Sequence, residues 1–237
     1  SYVSGVEQYF TDVASDSGHQ TNVYSVGTQY FDKRRDGTIR NHANYDVVAG
    51  APIMDADPYP ANACPPPTGY TNCLSDRQIE LEIQRLVNSQ HLAKGRNSIY
   101  FMFLPAGIDS CFGRRICADN YFCAYHSGFV ANSGGIILYT NQPFANLPDG
   151  GCDASGTPNG ADLDDVLNVV SHEHNETITD PLGNAWYARD GEENGDKCNF
   201  RFDNPGAQNY NQTINGHNYE LQEEWSNHSR TCLPYGH

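Results

Sequence analysis

The sequence predicts an α+β fold in which a twisted mixed β-sheet has a helix packed beneath it and disulfides stabilise the whole. Helical and extended patterns alternate along the chain, and eight cysteines occur among 237 residues. We expect one secreted domain over 1–237. Residues 1–160 should form the sheet and its flanking helices, and residues 161–237 a long helix followed by a disulfide-tied C-terminal segment.

The N-terminal part contains one predicted helix and two predicted strands. Apolar residues recur at helical spacing over 3–15. Segments 22–31 and 45–53 are rich in β-branched and aromatic residues, which favours strands. Segment 55–71 is rich in proline, which lacks a backbone donor and fixes φ, so we expect an irregular loop there.

A second helix and three further strands are predicted next. Ser75 is a good N-cap, an apolar stripe continues to about Leu92, and Gly95 is the expected stop signal. The continuous apolar run 99–104 indicates a central strand covered on both faces. Segments 121–130 and 135–140 are predicted to be strands as well.

The last predicted helix begins near residue 161, after a Gly/Pro/Asn loop over 146–160. Acidic residues crowd its first turn, where carboxylates favour the positive end of the helix dipole. Apolar residues then repeat every three or four positions, and Pro181 and Gly183 end the pattern.

This helix carries the motif His172-Glu173-x-x-Glu176. Residues four apart on a helix lie roughly 5–6 Å apart at Cβ and point the same way, so His172 and Glu176 could bind one cation. Glu173 would flank the metal, as a general base must. The usual signature is His-Glu-x-x-His, but carboxylate is also a zinc ligand. The alternative is an amphipathic helix whose polar face happens to read this way, with His174 and Asn175 at the solvent side or behind the ligands.

A metal held by His172 and Glu176 needs a third protein ligand. The acidic segment after the helix supplies candidates: we expect Glu193 to be this ligand, with Asp196 as an alternative ligand or a partner of His172. His126 and His217 are the competing nitrogen donors.

The same acidic segment leaves a calcium site open. Asp190-x-Glu192-x-Asn194-Gly195 resembles the first half of an EF-hand loop. The pattern then fails, because position twelve is Arg201 and not glutamate. An ordinary acidic surface loop with turn glycines explains the pattern equally well.

Charge and cysteine content indicate an extracellular protein. A net charge of −15 argues against nucleic acid and anionic membranes as partners, and no apolar run is long enough to span a membrane. No Cys-x-x-Cys occurs, so disulfides are favoured over a zinc ribbon. Of the many possible pairings we prefer Cys64–Cys73, Cys111–Cys117, Cys123–Cys152 and Cys198–Cys232. We expect a mature chain beginning at Ser1.

Three sequons agree with secretion and predict a glycoprotein. They begin at Asn175, Asn211 and Asn227. Asn211 lies in a polar, turn-rich stretch, whereas a glycan on Asn175 would crowd the proposed metal helix, so we expect Asn211 to be the better acceptor.

Four blocks in order resemble the phosphate-induced protein family, which includes the plant EXORDIUM proteins. They are Pro-Asn-Gly-Ala-Asp at 158–162, Ser-His-Glu-x-x-Glu at 171–176, Asn-Ala-Trp-Tyr at 184–187 and Glu-x-Gly-Asp-x-Cys at 193–198. The resemblance covers roughly 120–235 and implies a secreted or cell-wall protein without an established reaction. It carries over five positions: His172, Glu173, Glu176, Glu193 and Asp196.

Element order and the helix motif also resemble the N-terminal part of zincin metallopeptidases, whose active-site helix packs beneath a twisted mixed sheet. We therefore expect a secreted zinc-dependent hydrolase acting on an extracellular peptide. His172, Glu176 and Glu193 would bind the metal and Glu173 would be the catalytic base. The alternative is a non-catalytic extracellular or cell-wall protein that binds a polymer and holds a structural zinc or calcium ion.

Overall fold

The computed structural model describes residues 1–66, 69–113, 115–145, 151–203 and 209–236. The α-helices in these residues are α1 (Tyr2–Ser15), α2 (Asp76–Ser89) and α3 (Ala161–Thr179), and 3₁₀ helices occur at Val23–Gln29 and Asp196–Cys198. The strands are β1 (Phe31–Lys33), β2 (Ile39–His42), β3 (Asn72–Ser75), β4 (Ile99–Phe103), β5 (Ile108–Phe112), β6 (Ile116–Cys117), β7 (Tyr125–Val130), β8 (Ile136–Gln142), β9 (Gln212–Ile214), β10 (His217–Tyr219), β11 (Glu224–Ser226) and β12 (Thr231–Leu233).

The described strands form two three-stranded mixed sheets and three two-stranded ribbons. One sheet has the order β3-β5-β6 and the other β4-β8-β7, each with one parallel and one antiparallel pair. The α+β class is therefore observed, whereas the single twisted sheet expected of a zincin-like fold is not. The chain turns at Pro105 between β4 and β5, and each of these strands pairs in a different sheet.

The β4-β8-β7 sheet lies between two apolar clusters. Phe101 and Phe103 of β4 pack against the cluster that includes α1 and α3. Tyr100 and Met102, which alternate with them, pack against the cluster formed by α2. Successive side chains of a strand point to opposite faces, so the predicted central strand is indeed covered on both sides. This packing places α3 against β7 and β8.

Two predicted strands are wrong. Residues 23–29 form a buried 3₁₀ helix, begun by Asn22, whose side chain accepts a hydrogen bond from the backbone N–H of Tyr24 at 3.0 Å. Segment 45–53 contains no strand. Its aromatic residue Tyr45 stacks on the ring of Tyr24 and donates to the Val13 carbonyl, so its burial reflects packing against helices.

The predicted helices are present with small changes at their ends. Ser75 caps α2 through a capping box with Gln78. The helix ends at Ser89, before the expected Leu92 and Gly95, because His91 adopts a left-handed conformation with φ of 54°. Proline-rich residues 55–66 are irregular, as expected, and residues 146–150 of the predicted loop lie outside the described residues.

All four predicted disulfides are present: Cys64–Cys73, Cys111–Cys117, Cys123–Cys152 and Cys198–Cys232. No described helix is long and apolar enough to cross a membrane. The four disulfides are compatible with the expected extracellular protein.

The three sequons differ in exposure. Asn175 is buried and its amide donates to the Ser171 carbonyl. Asn211, which we preferred as a glycan acceptor, has its amide engaged on both sides by the backbone of Leu221. Asn227 is exposed, and it is therefore the most accessible of the three acceptors.

Candidate metal site

Helix α3 is buried on nearly every side, which places its motif inside the protein. It contacts α1, the first 3₁₀ helix, β7 and β8. His174 and Asn175 are therefore buried rather than solvent-facing, contrary to one expectation. His174 lies among the rings of Phe10, Phe101 and Tyr24, and burial lowers its pKa to about 4.

Two carboxylates lie close to Nε2 of His172. Its Nε2 is 3.1 Å from Oε1 of Glu176, four residues later on α3, and 3.7 Å from Oδ1 of Asp196. The donor atoms of His172, Glu173 and Glu176 all lie within 4.8 Å of one another. The helical spacing predicted the first contact, and the return of the acidic segment supplies the second.

His126 of β7 approaches the same site from the sheet. Its Nε2 lies 3.1 Å from Oε2 of Glu193 and 3.9 Å from Oε2 of Glu176. The other competing donor, His217, lies elsewhere and pairs with Asp12 at 2.9 Å. The structure thus brings together every predicted site residue and adds His126, because α3 packs directly against β7.

The acidic segment is held in place by hydrogen bonds to the helix. The backbone N–H of Asp196 donates to Oε1 of Glu176 at 3.0 Å, and that of Glu193 donates to Oδ2 of Asp196 at 3.1 Å. Asn194, between them, accepts from Thr179 at 2.7 Å and donates to Glu224 at 2.7 Å. Both amide atoms of Asn194 are used in this way, so Asn194 joins the acidic segment to α3 and to β11.

Gly195 allows the segment to approach the helix closely. A Cβ at this position would lie 3.0 Å from Oε1 of Glu176 and 3.0 Å from Nδ1 of His172. Its φ of −71° is open to any residue, so the glycine is needed for space and not for backbone freedom. Sequence reasoning assigned it only to a turn.

The electrostatic field at the site is strongly negative. Burial lowers the pKa of His126, but the Glu193 hydrogen bond and the nearby glutamates outweigh this and raise it to about 9. Glu176 and Glu173 likewise overcome burial and raise the pKa of His172 well above its usual value. Burial raises the pKa of Glu173 and Glu193. A cation is the natural counter-charge for such a cluster.

Several buried polar atoms at the site have no hydrogen-bond partner among the described residues. They include Oε2 of Glu173, Oε1 of Glu193 and Nδ1 of His126. Leaving such atoms unpaired costs about 1–3 kcal/mol each, whereas imidazole nitrogen and carboxylate oxygen are ligands that zinc accepts. The donor set therefore fits a divalent cation.

One buried carboxylate near the site escaped sequence reasoning. Glu224 of β11 is fully buried, and burial raises its pKa well above the usual range, with His172 and Glu176 among its charged neighbours. Nothing in the local pattern of β11 marks it, because its role depends on where the C-terminal ribbon docks.

Comparison with protein-family models, curated proteins and solved structures finds no significant match to this chain. The resemblance to phosphate-induced proteins and to zincins therefore stays an expectation.

Proposed function

We propose that this protein is a secreted zinc-dependent hydrolase, of metallopeptidase type, whose site is built on α3. The observation that carries the proposal is the convergence of Glu173, Glu176 and Asp196 on His172. Glu173 has a buried oxygen with no hydrogen-bond partner among the described residues. Secretion is supported by the four disulfides. The placement of α3 against a mixed sheet supports the zincin comparison, and Glu176 in place of the second histidine is the departure from it.

The residues divide into ligands and a base. His172 and Glu176 would hold the metal, and Glu193 or Asp196 would complete the set. Zinc held there would supply a Lewis acid that lowers the pKa of water toward about 7. Oε2 of Glu173 would accept a proton from the attacking water and pass it to the leaving amine. Burial favours this exchange, because a raised pKa suits a carboxylate that must both take up and release a proton near neutral pH.

A Glu173→Gln variant tests the proposal. Glutamine keeps the shape of the side chain but cannot accept a proton, so bound zinc should remain while hydrolysis of a peptide library falls at least about 100-fold. Glu192→Gln is the matched control: Glu192 is exposed on the same segment, and the substitution should change neither zinc content nor rate. Equal hydrolysis by the Glu173→Gln variant and the parent would exclude Glu173 as the base.

Burial favours a second candidate, a non-catalytic extracellular binding or assembly protein with a structural zinc or calcium ion. The side chains of His126 and Glu176 are 7% and 4% exposed, and a cavity of about 520 Å³ lies elsewhere, beside Phe200, Asp203 and Glu223. A polymer chain of the cell wall is the expected partner. This candidate predicts that metal removal lowers the unfolding temperature strongly while the metal-loaded parent hydrolyses no peptide.

A further inference from the structure

Glu176 presents its two carboxylate oxygens to two different histidines. Oε1 lies 3.1 Å from Nε2 of His172, and Oε2 lies 3.9 Å from Nε2 of His126. Two sets of donor atoms that lie within 4.8 Å of one another meet here. One contains His172, Glu173 and Glu176, the other contains His126, Glu176 and Glu193, and Glu176 belongs to both. A carboxylate between two imidazoles is the arrangement of a bridging ligand.

Each half of the site has its own second carboxylate. Asp196 lies 3.7 Å from His172, and Glu193 lies 3.1 Å from His126. Two ligands of a tetrahedral zinc at its usual bond lengths are separated by about 3.3 Å. The observed spacings of 3.1–3.9 Å surround that value in both halves. Each half thus offers three ligands: one imidazole, one oxygen of Glu176 and one carboxylate of its own.

We propose that the site binds two divalent ions bridged by Glu176. His172 and Asp196 complete the set for one ion, and His126 and Glu193 complete it for the other. The proposal deepens the proposed function and rests on its metal site, not on its reaction. Paired ions are used by hydrolases of peptides and phosphate esters, so a second ion would also suit the proposed chemistry.

Charge balance favours two ions over one. The site contains four carboxylates, those of Glu173, Glu176, Glu193 and Asp196. Two divalent ions offset four negative charges when both imidazoles are neutral ligands, whereas one ion leaves two charges uncompensated. Uncompensated charge is costly at a site as buried as that of Glu176, which is 3% exposed.

A single ion would also leave part of the site unused. If it sat at His172, the His126–Glu193 pair would stay buried without a role in binding, and the reverse holds for an ion at His126. One ion bound by both histidines would have to contact two ring nitrogens that belong to different sets of neighbouring donor atoms among the described residues. Two ions use both imidazoles, both oxygens of Glu176 and the carboxylates of Glu193 and Asp196, and they leave Glu173 as the base.

The test is the zinc content of the intact protein after equilibration with excess zinc and removal of unbound metal. Inductively coupled plasma mass spectrometry measures zinc against sulfur, with the eight cysteines and two methionines of each chain as the internal standard. We expect two zinc ions per chain. The parent protein alone decides this point, so the result does not depend on a variant that folds.

Variants then assign the halves. His126→Ala and Asp196→Ala should each retain one zinc per chain, because each removes a ligand from one half, and Glu176→Gln should lose both. His217→Ala is the matched control, since His217 lies at Asp12 outside the site, and it should retain two. Circular dichroism of each variant identifies any that fails to fold.

The outcomes separate this proposal from the proposed function. One zinc per chain, abolished by both single-ligand variants, would overturn the two-ion site and leave a one-ion hydrolase intact. Two zinc ions without hydrolysis would support the two-ion site and overturn the hydrolase. No bound zinc would overturn both.

Discussion

A single carbon added at Gly195 should weaken metal binding much more than it lowers the free energy of unfolding. Its backbone conformation accepts alanine, but a Cβ there would press on both His172 and Glu176. We expect Gly195→Ala to weaken zinc binding about 10- to 100-fold, the range seen when ligand positioning is disturbed. The free energy of unfolding of the metal-free protein should change much less.

Zinc affinity is measured by competition with a chromophoric chelator. Gly50→Ala is the control, since a Cβ at Gly50 meets no atom within 4 Å, and this variant should bind zinc like the parent. Unchanged affinity in Gly195→Ala would mean that the segment is held further from the helix in solution.

Asp165 of α3 lies outside the metal site, and its carboxyl should make the free energy of unfolding depend on pH. Burial raises the pKa of its carboxyl to about 6, above its unfolded value. A raised carboxyl pKa stabilises the protein fully below the unfolded pKa, and that stability is lost as pH rises through the folded pKa. The parent should therefore lose about 1–2 kcal/mol from this group between pH 4 and pH 7, after allowance for solvent screening.

Asp165→Asn removes this titration and retains an oxygen that can accept from the Ala154 backbone N–H. Urea unfolding at pH 4 and pH 7, with chelator present, should show a smaller loss of stability in this variant than in the parent. Asp190→Asn, at an exposed turn, should follow the parent. Identical pH dependence in Asp165→Asn and the parent would assign the loss to other groups.

At the scale of residues, the sequence predicted the contacts that helical geometry alone determines. His172 and Glu176 meet because they are four positions apart on one helix. His126 could be named only as a competing donor, because its place depends on how β7 packs against α3. A histidine on a strand has no periodic partner that marks it as a ligand, and the same holds for Glu224.

At the scale of elements, the position of the acidic segment 193–196 depends on Asn194. Its buried amide joins Thr179 of α3 to Glu224 of β11, and Glu193 is its direct neighbour. We expect Asn194→Ala to lower the free energy of unfolding by about 2 kcal/mol, because it removes a buried hydrogen bond from Thr179 and leaves a carboxyl oxygen of Glu224 without its partner. Zinc affinity should fall with it, by about tenfold or more.

Denaturant unfolding and zinc competition measure both effects. Asn199→Ala is the matched control, because Asn199 is exposed beyond the second 3₁₀ helix, and it should leave both quantities nearly unchanged. A stability loss without any loss of zinc affinity would show that Asn194 supports the fold but does not position the ligands.

The sequence predicted elements well where local signals agree. Ser75 with Gln78 marks the start of α2, and alternation about β4 matches its two covered faces. Segment 22–31 has strand-forming residues, but its residues 23–29 form a 3₁₀ helix that Asn22 caps and that packs against α3 and β11. Tertiary packing overrides β-propensity in such short segments.

At the scale of the whole molecule, the sequence predicted the disulfide framework but not the sheets. Short loops made the Cys64–Cys73 and Cys111–Cys117 pairs favourable, and all four pairs are present. Strand pairing is non-local, and nothing in β4 or β5 indicates that they join different sheets. The closing of Glu193 and Asp196 onto α3 could be anticipated because Cys198 anchors the end of that segment.

The Cys198–Cys232 disulfide should therefore stabilise both the fold and the metal site. It ties Cys198, two residues beyond Asp196, to β12, which pairs with the β11 strand that carries Glu224. Chain entropy predicts a cost of about 4 kcal/mol when both cysteines are replaced by serine, since the bridge closes 34 residues. Zinc affinity should fall as well, because the segment that carries two ligands loses its anchor.

The Cys64–Cys73 pair is the matched comparison. It closes nine residues and belongs to a cluster that contains no residue of α3. Its replacement by serines should therefore cost less, about 2.5 kcal/mol, and should leave zinc affinity unchanged. Urea unfolding and zinc competition on the two double variants measure the difference. A free end at Cys198 acts on the segment that carries Glu193 and Asp196, whereas a free end at Cys64 does not. If both double variants lost zinc affinity equally, the site would therefore depend on the global stability of the protein and not on the local anchor.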